Sequence, residues 1–245
     1  MSFFNLPEVY DALIDWPKRL AREEPFYRHV FAQAGVQSVI DAACGSGRHA
    51  AMFHEWGLDV EAADVSPEMI ELARRSFGEP SGLRWVVRGF DQPVASAPFD
   101  AAVCVGNSLA LAPDRKTAAE AVRQLLAAVR PGGIVVVQVL NLRRLPDGPC
   151  IWQVIKRATV GGRELLLVKG VHRSGSGGFV DLVVVPLDAK APPFTESSPL
   201  LGVEAEELQQ MAADAGAVTV SLFGDYQRAP FDTGQSPDII VLATK

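Results

Sequence analysis

The chain has 245 residues, of which 48% are hydrophobic and 21% are charged, a composition typical of a globular domain. Its 23 lysine and arginine residues are outnumbered by 29 aspartate and glutamate residues, which gives a formal net charge of −6. Because nucleic-acid binding requires a cationic face, this balance argues against a nucleic-acid partner. The three cysteines have no CxxC spacing and indicate reduced thiols, so we expect a cytoplasmic protein.

The sequence contains no long apolar run. Residues 134–140 form a stretch of seven, interrupted by Gln138, whereas a transmembrane helix needs roughly 18. The N-terminus has no basic segment leading into an apolar stretch, so we expect neither a secretory signal nor a membrane partner. No metal site is predicted, because the histidines have no ligand spacing. They are His29, His49, His54 and His172.

The first half of the chain alternates between helical and strand patterns. Residues 1–35 are predicted to be helical, and the β-branched end of residues 36–40 indicates a buried strand. A glycine loop at 41–47 leads into a short helix, and the strand at 58–63 stops at Asp64. Ser66 and Pro67 then supply an N-cap and a first helical residue for the next helix.

Three further strands, at 85–87, 101–105 and 134–140, continue the alternation, with a helix that begins at a Thr117–Glu120 capping box. Continuous apolar strands separated by helices are typical of parallel sheets that are covered on both faces. We therefore predict an α/β fold with a Rossmann-like, doubly wound, seven-stranded, mostly parallel sheet.

The pattern changes after Asn141. Residues 165–171 and 179–185 flank a Gly/Ser-rich turn and predict an antiparallel hairpin, followed by a loop at 189–199. A helix and two strands complete the chain. We predict one domain over residues 1–245, with N-terminal helices at about 1–35 and a small β insertion at about 150–200.

The glycine loop predicts a cofactor site at the carboxyl edge of the sheet. Its residues 45–50 also match the dinucleotide fingerprint G-x-G-x-x-G/A, so an NAD-dependent oxidoreductase is an alternative. Asp41, the first residue of the loop, disfavours a pyrophosphate but tolerates a sulfonium and an amine. The segments 99–108 and 129–137 follow at a spacing that resembles that of methyltransferases. A helix and two strands after them leave no room for a dehydrogenase substrate domain.

Four segments carry a family resemblance, namely 39–47 (VIDAACGSG), 63–69 (ADVSPEM), 99–108 (FDAAVCVGNS) and 223–226 (FGDY). On these, the chain resembles class I S-adenosylmethionine-dependent methyltransferases, and within that class the glycine/sarcosine N-methyltransferase type. The resemblance implies S-adenosylmethionine as the cofactor and S-adenosylhomocysteine as its product. It also implies a small-molecule acceptor; it leaves the oligomeric state open.

The resemblance implies roles for particular positions. Ala43, Gly45 and Gly47 line the methionine part of the cofactor, and Asp64 holds the ribose. Val65, Met69 and Phe90 enclose the adenine, with Asp91 near its amine. Arg19, or alternatively Arg22, pairs with the cofactor carboxylate. Substrate-binding positions are Tyr10, Asn107, Asn141 and Tyr226, and Asn107 is the expected catalytic residue that orients the acceptor.

The sequence contains no convincing general base, which favours an amine acceptor over a hydroxyl. We therefore predict methyl transfer to a small amine. The alternatives are an O-methyltransferase of a small hydroxylated metabolite and a cofactor-binding module without activity. In the glycine-type enzymes an arginine that binds the substrate carboxylate precedes the position of Asn141. This chain has Leu140 there, and we expect glycine and sarcosine to be poor substrates.

Overall fold

The computed structural model describes residues 7–188 and 191–245. Residues 1–6 of the predicted helical region and residues 189–190 of the predicted loop lie outside the described residues. Two sheets and six helices, numbered in chain order, form the described part of the chain. The helices are α1 (Pro7–Leu13), α2 (Trp16–Ala34), α3 (Arg48–Glu55), α4 (Pro67–Phe77), α5 (Arg115–Ala128) and α6 (Ala205–Asp214).

The larger sheet, here called the core sheet, has seven strands. They are β1 (Ser38–Ala42), β2 (Asp59–Asp64), β3 (Leu83–Val87), β4 (Phe99–Cys104), β5 (Val129–Leu140), β10 (Thr219–Phe223) and β11 (Asp238–Thr244). Their order is β10-β11-β5-β4-β1-β2-β3, and all neighbours are parallel except β11, which is antiparallel to both β5 and β10. The predicted fold class is confirmed.

The core sheet is apolar on both faces, as its continuous hydrophobic strands predict. On one face, α2, α3 and α4 bury residues such as Phe26, Phe53 and Ile70 against it. On the other, α5 and α6 bury Leu125 and Leu208. This double cover leaves the ends of the strands as the accessible part of the sheet, and that is where parallel sheets bind ligands.

The segment between β5 and α6 forms a second sheet, here called the inserted sheet. Its antiparallel strands are β6 (Ile151–Val160), β7 (Arg163–Ser174), β8 (Gly177–Pro186) and β9 (Phe194–Leu200). The predicted hairpin is its central pair, β7 and β8. The prediction of a loop over 189–199 is wrong in its second half, because β9 pairs with β8 from Val184↔Phe194 to Gly178↔Leu200. Backbone pairing of this kind leaves little local signal in a Pro/Ser-rich sequence.

Helix α1 holds the inserted sheet against the core sheet. Val9 and Leu13 of the helix pack on Leu165, Leu167 and Leu182 of the sheet and form a small separate core.

Helix α5 begins one turn earlier than predicted, since Asp114 is its N-cap. The side chain of Asp114 accepts a hydrogen bond from the Thr117 amide. None of the described helices is long and apolar enough to span a membrane.

Candidate active site

A cavity of about 470 Å³ lies at the carboxyl ends of the core strands, beneath α1 and the inserted sheet. We call it the cofactor chamber. The sequence-predicted residues that line it are Tyr10, Arg19, Ala43, Gly45, Asp64, Val65, Met69, Phe90, Asp91 and Asn107. The fold therefore gathers most of the predicted site into one cavity, because strands β1, β2 and β4 all end there.

Asp64 fixes the shape of the glycine loop. Its Oδ2 accepts a hydrogen bond from the amide of Gly45 over 2.8 Å, and its Oδ1 accepts one from the amide of Ser66 over 2.9 Å. A carboxylate oxygen has two lone pairs, so each oxygen retains one that is directed to another donor. The residue thus ties the end of β2 to the loop after β1 and keeps accepting capacity for a ligand hydroxyl.

Gly47 has a packing role that the sequence did not reveal. Its φ is +80°, and a Cβ atom at this position would lie 2.6 Å from the ring of Trp85. The residue is the N-cap of α3 and is absent from the lining of the cofactor chamber. A side chain is excluded here by the indole, and the contact of Gly47 with the methionine part of a cofactor stays a prediction.

Two residues of the chamber lining carry buried polar atoms without a hydrogen-bond partner among the described residues. They are Nε1 of Trp16, a donor, and Oδ2 of Asp41, an acceptor. Burial and the nearby charge of Asp64 raise the pKa of Asp41 to about 8. One unsatisfied donor and one unsatisfied acceptor in the same cavity suit a ligand that carries both an anionic and a cationic end.

Arg19 is held by a buried network on α2. Its Nε donates to Oε1 of Glu23 over 2.9 Å, and Oε2 of Glu23 lies 2.8 Å from Nε2 of His49. Burial alone would raise the pKa of Glu23, but the hydrogen bond from His49 and the charge of Arg19 outweigh it and lower the pKa to about 2. Glu23 is therefore ionised, and Arg19 is fixed at the chamber wall. The predicted alternative, Arg22, also contacts Glu23 but lies outside the cofactor chamber.

A second cavity of about 410 Å³ adjoins the first, between α2 and the inserted sheet. We call it the acceptor chamber. The residues that line both chambers, and so mark their junction, are Tyr10, Arg19, Gly106, Asn107, Lys169 and Val180. The acceptor chamber also has apolar walls from Leu13, Ile14, Leu140, Val154 and Val171.

Gln138 and Asn107 build the floor of this junction. Oε1 of Gln138 accepts hydrogen bonds from the amides of Gly106 and Asn107, at 2.8 and 3.1 Å, while its Nε2 donates to Asp238. Oδ1 of Asn107 accepts from the amide of Leu140 over 2.8 Å. Asn107 itself has a φ of +69°, a conformation that is costly for residues other than glycine and asparagine.

Two predicted substrate residues do not reach either chamber. Asn141 is buried, and its amide nitrogen donates to the carbonyls of Thr233 and Ser236. Tyr226 is buried in the core against Phe26, with its hydroxyl 3.5 Å from that of Tyr27. The loop before β11 and helix α2 cover both residues, and their role in substrate binding stays a prediction.

The structure adds several polar residues that the sequence did not single out as site residues, and three of them have large side chains at the cofactor chamber. Trp16 and His49 line the cofactor chamber, and Lys169 lines both chambers. One signal for Lys169 was available, since it is a charged residue at the end of the apolar run Leu-Leu-Leu-Val of β7. Its side-chain direction depended on how the inserted sheet docks.

A separate polar cluster occupies the face of the inserted sheet that points away from the chambers. Asp181 accepts hydrogen bonds there from Nδ1 of His172 over 2.7 Å and from Oγ of Ser197 over 2.6 Å, with Sγ of Cys150 at 3.6 Å. Burial and Asp181 raise the pKa of the Cys150 thiol. These contacts tie β7, β8 and β9 together, although the histidines showed no ligand spacing in the sequence.

Comparison with known proteins places this geometry in a family. Residues 39–133, which contain the glycine loop, Asp64 and the strand end at β4, match the family model described as a methyltransferase domain. The chain is 26% identical over 236 residues to a glycine/sarcosine N-methyltransferase of Parasynechococcus marenigrum, covering 91% of this chain and 78% of that protein. The chain is a class I S-adenosylmethionine-dependent methyltransferase.

Other relatives of this methyltransferase are similar over less of their length. A glycine N-methyltransferase of Rattus norvegicus is 33% identical over 141 residues, which are 52% of this chain and 48% of that protein. The chain therefore spans about half the length of several of the curated relatives that it matches.

Solved methyltransferases share the whole fold. A sugar N-methyltransferase from Streptoalloteichus has a TM-score of 0.77 at 23% identity, covering 92% of this chain and 87% of that one. An amino pentose methyltransferase from Micromonospora echinaspora, solved with S-adenosylmethionine bound, has a TM-score of 0.75 at 21% identity, covering 100% and 98%. At these identities the likeness concerns the fold alone.

Proposed function

We propose that this methyltransferase transfers a methyl group to the nitrogen of a small amine bound in the acceptor chamber. The observation that carries the proposal is the junction of the two chambers at Gly106, Asn107 and Lys169. A methyl group passed between two ligands must cross at such a contact, since in-line transfer requires the reacting atoms at roughly 3–3.5 Å. When bound, S-adenosylmethionine supplies the activated methyl group.

The cofactor chamber offers groups suited to each part of that cofactor. Asp41 would bind its ammonium group, while Arg19 and the indole N–H of Trp16 would bind its carboxylate. Asp64 would accept hydrogen bonds from the ribose hydroxyls. The adenine would lie among apolar side chains, of which Val65 is 72% exposed in the structure and open to cover by a ring. The unpartnered donor Nε1 of Trp16 and the unpartnered acceptor Oδ2 of Asp41 are the best support for this assignment.

The acceptor chamber supports an acceptor larger than glycine. Its volume of about 410 Å³ exceeds what a two-carbon amino acid fills, and its walls include Leu13, Leu140 and Val171. Leu140 stands where the glycine-type enzymes have the arginine that binds a carboxylate, and its apolar side chain gives no such partner. Two of these relatives are named as a glycine/sarcosine N-methyltransferase and a sugar N-methyltransferase, which favours an amine acceptor here.

A product-release screen tests the proposal. The protein is incubated with S-adenosylmethionine and panels of amines, amino acids, amino sugars and phenols, and S-adenosylhomocysteine is quantified. We expect turnover with one or more amines and little with phenols. Turnover confined to hydroxyl compounds would replace N-methylation by O-methylation. Binding of S-adenosylmethionine without turnover of any panel would favour a cofactor-binding module.

A further inference from the structure

Lys169 lies on β7 at the junction of the two chambers and belongs to neither the glycine loop nor the core sheet. The inserted sheet therefore brings one amine to the place where an acceptor nitrogen would meet the methyl group. Val180 on β8 and Asn107 after β4 flank the same junction. Lys169 thus lies where the reacting atoms of the proposed function would meet. The following inference rests on that proposed function.

Charged groups of both signs surround Lys169. The cofactor chamber contributes Asp41, Asp64 and Asp91, together with His49, whereas the acceptor chamber is predominantly cationic. From α2, Lys18, Arg19 and Arg22 face the acceptor chamber, together with Glu23, whose oxygens are already bonded to Arg19, Arg22 and His49. Tyr10 of α1 and the neutral Gln153 of β6 also line the acceptor chamber, and so does Asp15, which precedes α2. Among the described residues, no carboxylate forms an ion pair with the Lys169 ammonium.

This environment weakens the protonated form of Lys169. Burial in the chamber wall, and then the positive charge of Arg19, lower its pKa. A bound sulfonium would act in the same direction, because like charges disfavour the protonated amine. The other groups at the junction are poorer proton acceptors: an arginine keeps its proton, burial raises the pKa of the Tyr10 phenol, and Asn107 does not titrate.

We propose that Lys169 is the general base that takes the surplus proton of the acceptor amine. The acceptor enters as an ammonium ion and passes one proton to Nζ of Lys169 when that amine is in its deprotonated form. The freed lone pair of the acceptor nitrogen then forms the bond to the methyl carbon. At the same time the carbon–sulfur bond breaks, and the electron pair of that bond remains on sulfur. Lys169 finally releases the proton to solvent, which completes the balance of one proton for each methyl group transferred.

The protonation state of Lys169 is measurable without any acceptor. The chain has six lysines, so protein labelled with [ε-13C]lysine gives a resolvable set of signals, and the Lys169→Met variant assigns one of them. We expect this signal to titrate below the others, as desolvated lysines do. Saturation with S-adenosylmethionine is expected to lower its midpoint further than S-adenosylhomocysteine does, since only the former carries the sulfonium charge. Titration together with the other lysines would overturn the proposal.

Kinetics with an amine found in the screen test the base role itself. For Lys169→Met we expect kcat/KM to fall about 10²–10³-fold at pH 7.5, within the range for general bases. The loss should shrink above about pH 9, where a free amine of ordinary pKa loses its proton in solution. Lys169→Arg should be equally impaired, because a guanidinium does not accept a proton. The matched control is Lys156→Met on β6, which lies outside both chambers.

The outcomes separate the base from other roles. Activity retained in Lys169→Arg would make Lys169 an anchor for an anionic group of the acceptor and overturn the base. A loss of the same factor at every pH, with weaker cofactor binding or a lower melting temperature, would indicate a structural role and also overturn it. If the screen finds no amine substrate, the proposed function fails, whereas the lysine titration still decides the protonation state of Lys169 independently.

Discussion

Oδ1 of Asn107 accepts a hydrogen bond from the backbone amide of Leu140 over 2.8 Å, which joins the turn after β4 to the carboxyl end of β5. The same asparagine lines both chambers and has a φ of +69°. A residue expected to orient the acceptor is therefore also a brace between two strands. Any test of its chemistry has to separate these two contributions.

Replacing Asn107 by two different residues makes this separation. Asn107→Ala loses the amide and places alanine in the left-handed region, which costs roughly 1–2 kcal/mol, whereas Asn107→Gly loses the amide alone. We expect both variants to lose turnover, with the cofactor Kd changed less than about threefold and alanine the less stable of the two. The measurements are kcat, calorimetric cofactor binding and urea denaturation. Normal turnover in Asn107→Gly would leave the side chain with only a bracing role.

Asp64 is expected to contribute directly to cofactor affinity. Asp64→Ala removes an acceptor for ribose hydroxyls and the tie to Gly45, and hydrogen bonds to a charged group are each worth about 1.5–3 kcal/mol. We expect the Kd for S-adenosylmethionine to rise about 10- to 100-fold in isothermal titration calorimetry. Asp59→Ala, at the exposed other end of β2, is the matched control. An unchanged Kd in Asp64→Ala would refute the ribose assignment.

Asp41 predicts an unusual dependence of stability on pH. Burial and Asp64 raise its pKa from an ordinary value near 4 to about 8, so between these values the folded chain holds a proton that the unfolded chain has lost. The contribution of this residue to the free energy of unfolding therefore decreases as pH rises from about 4 to about 8. Without cofactor, we expect Asp41→Asn to lose less stability than the parent between pH 5 and 8. Parallel stability curves from urea titrations would show that Asp41 is ionised throughout.

Glu23 is hydrogen-bonded to Arg19 and His49, and removing its charge is expected to lower the free energy of unfolding. Removing one partner of a fully buried pair costs about 3–5 kcal/mol; because the Arg19 side chain is 18% exposed, we expect about 2–3 kcal/mol for Glu23→Gln. The pKa of Glu23 is lowered to about 2, so its stabilisation is present above about pH 4.5 and is lost as pH falls toward 2.

The neighbouring residue supplies the control for this prediction. Glu24 pairs with Arg28 on the exposed side of the same helix, and Glu24→Gln is expected to change the free energy of unfolding by less than about 0.5 kcal/mol. Urea denaturation at pH 7 compares the two variants. Equal, small effects would mean that the buried carboxylate adds nothing beyond a neutral amide.

Leu140 predicts the substrate range. With an apolar side chain in place of a carboxylate-binding arginine, we expect kcat/KM for glycine and for sarcosine to stay below ~10⁴ M⁻¹s⁻¹, the lower end for ordinary enzyme–substrate pairs. Initial rates of S-adenosylhomocysteine formation with both amino acids provide the measurement. A higher value would require another cation of the acceptor chamber, such as Arg22, to bind the carboxylate.

The core of this enzyme follows from local patterns in the sequence. Apolar strands alternating with amphipathic helices dictate a covered parallel sheet, and the glycine loop and Asp64 fall at strand ends because strands in such a sheet all end at one edge. For this reason Gly45 and Asp64 were predicted from the pattern, whereas Asn107 was implied by the family resemblance, and all three line one cavity. The helix start at Asp114 and the strand β9 were missed, since caps and edge strands depend on partners that are distant in sequence.

The acceptor side was decided by tertiary structure. Which face of β7 turns toward the chambers depends on the packing of α1 against the inserted sheet, and a strand read alone does not distinguish its two faces. That docking directs Lys169 to the junction, whereas the loop before β11 and helix α2 bury Asn141 and Tyr226. The sequence by itself determined the fold class and the cofactor edge, because both arise from local periodicity; the acceptor chamber arises from contacts between segments that are far apart in the chain.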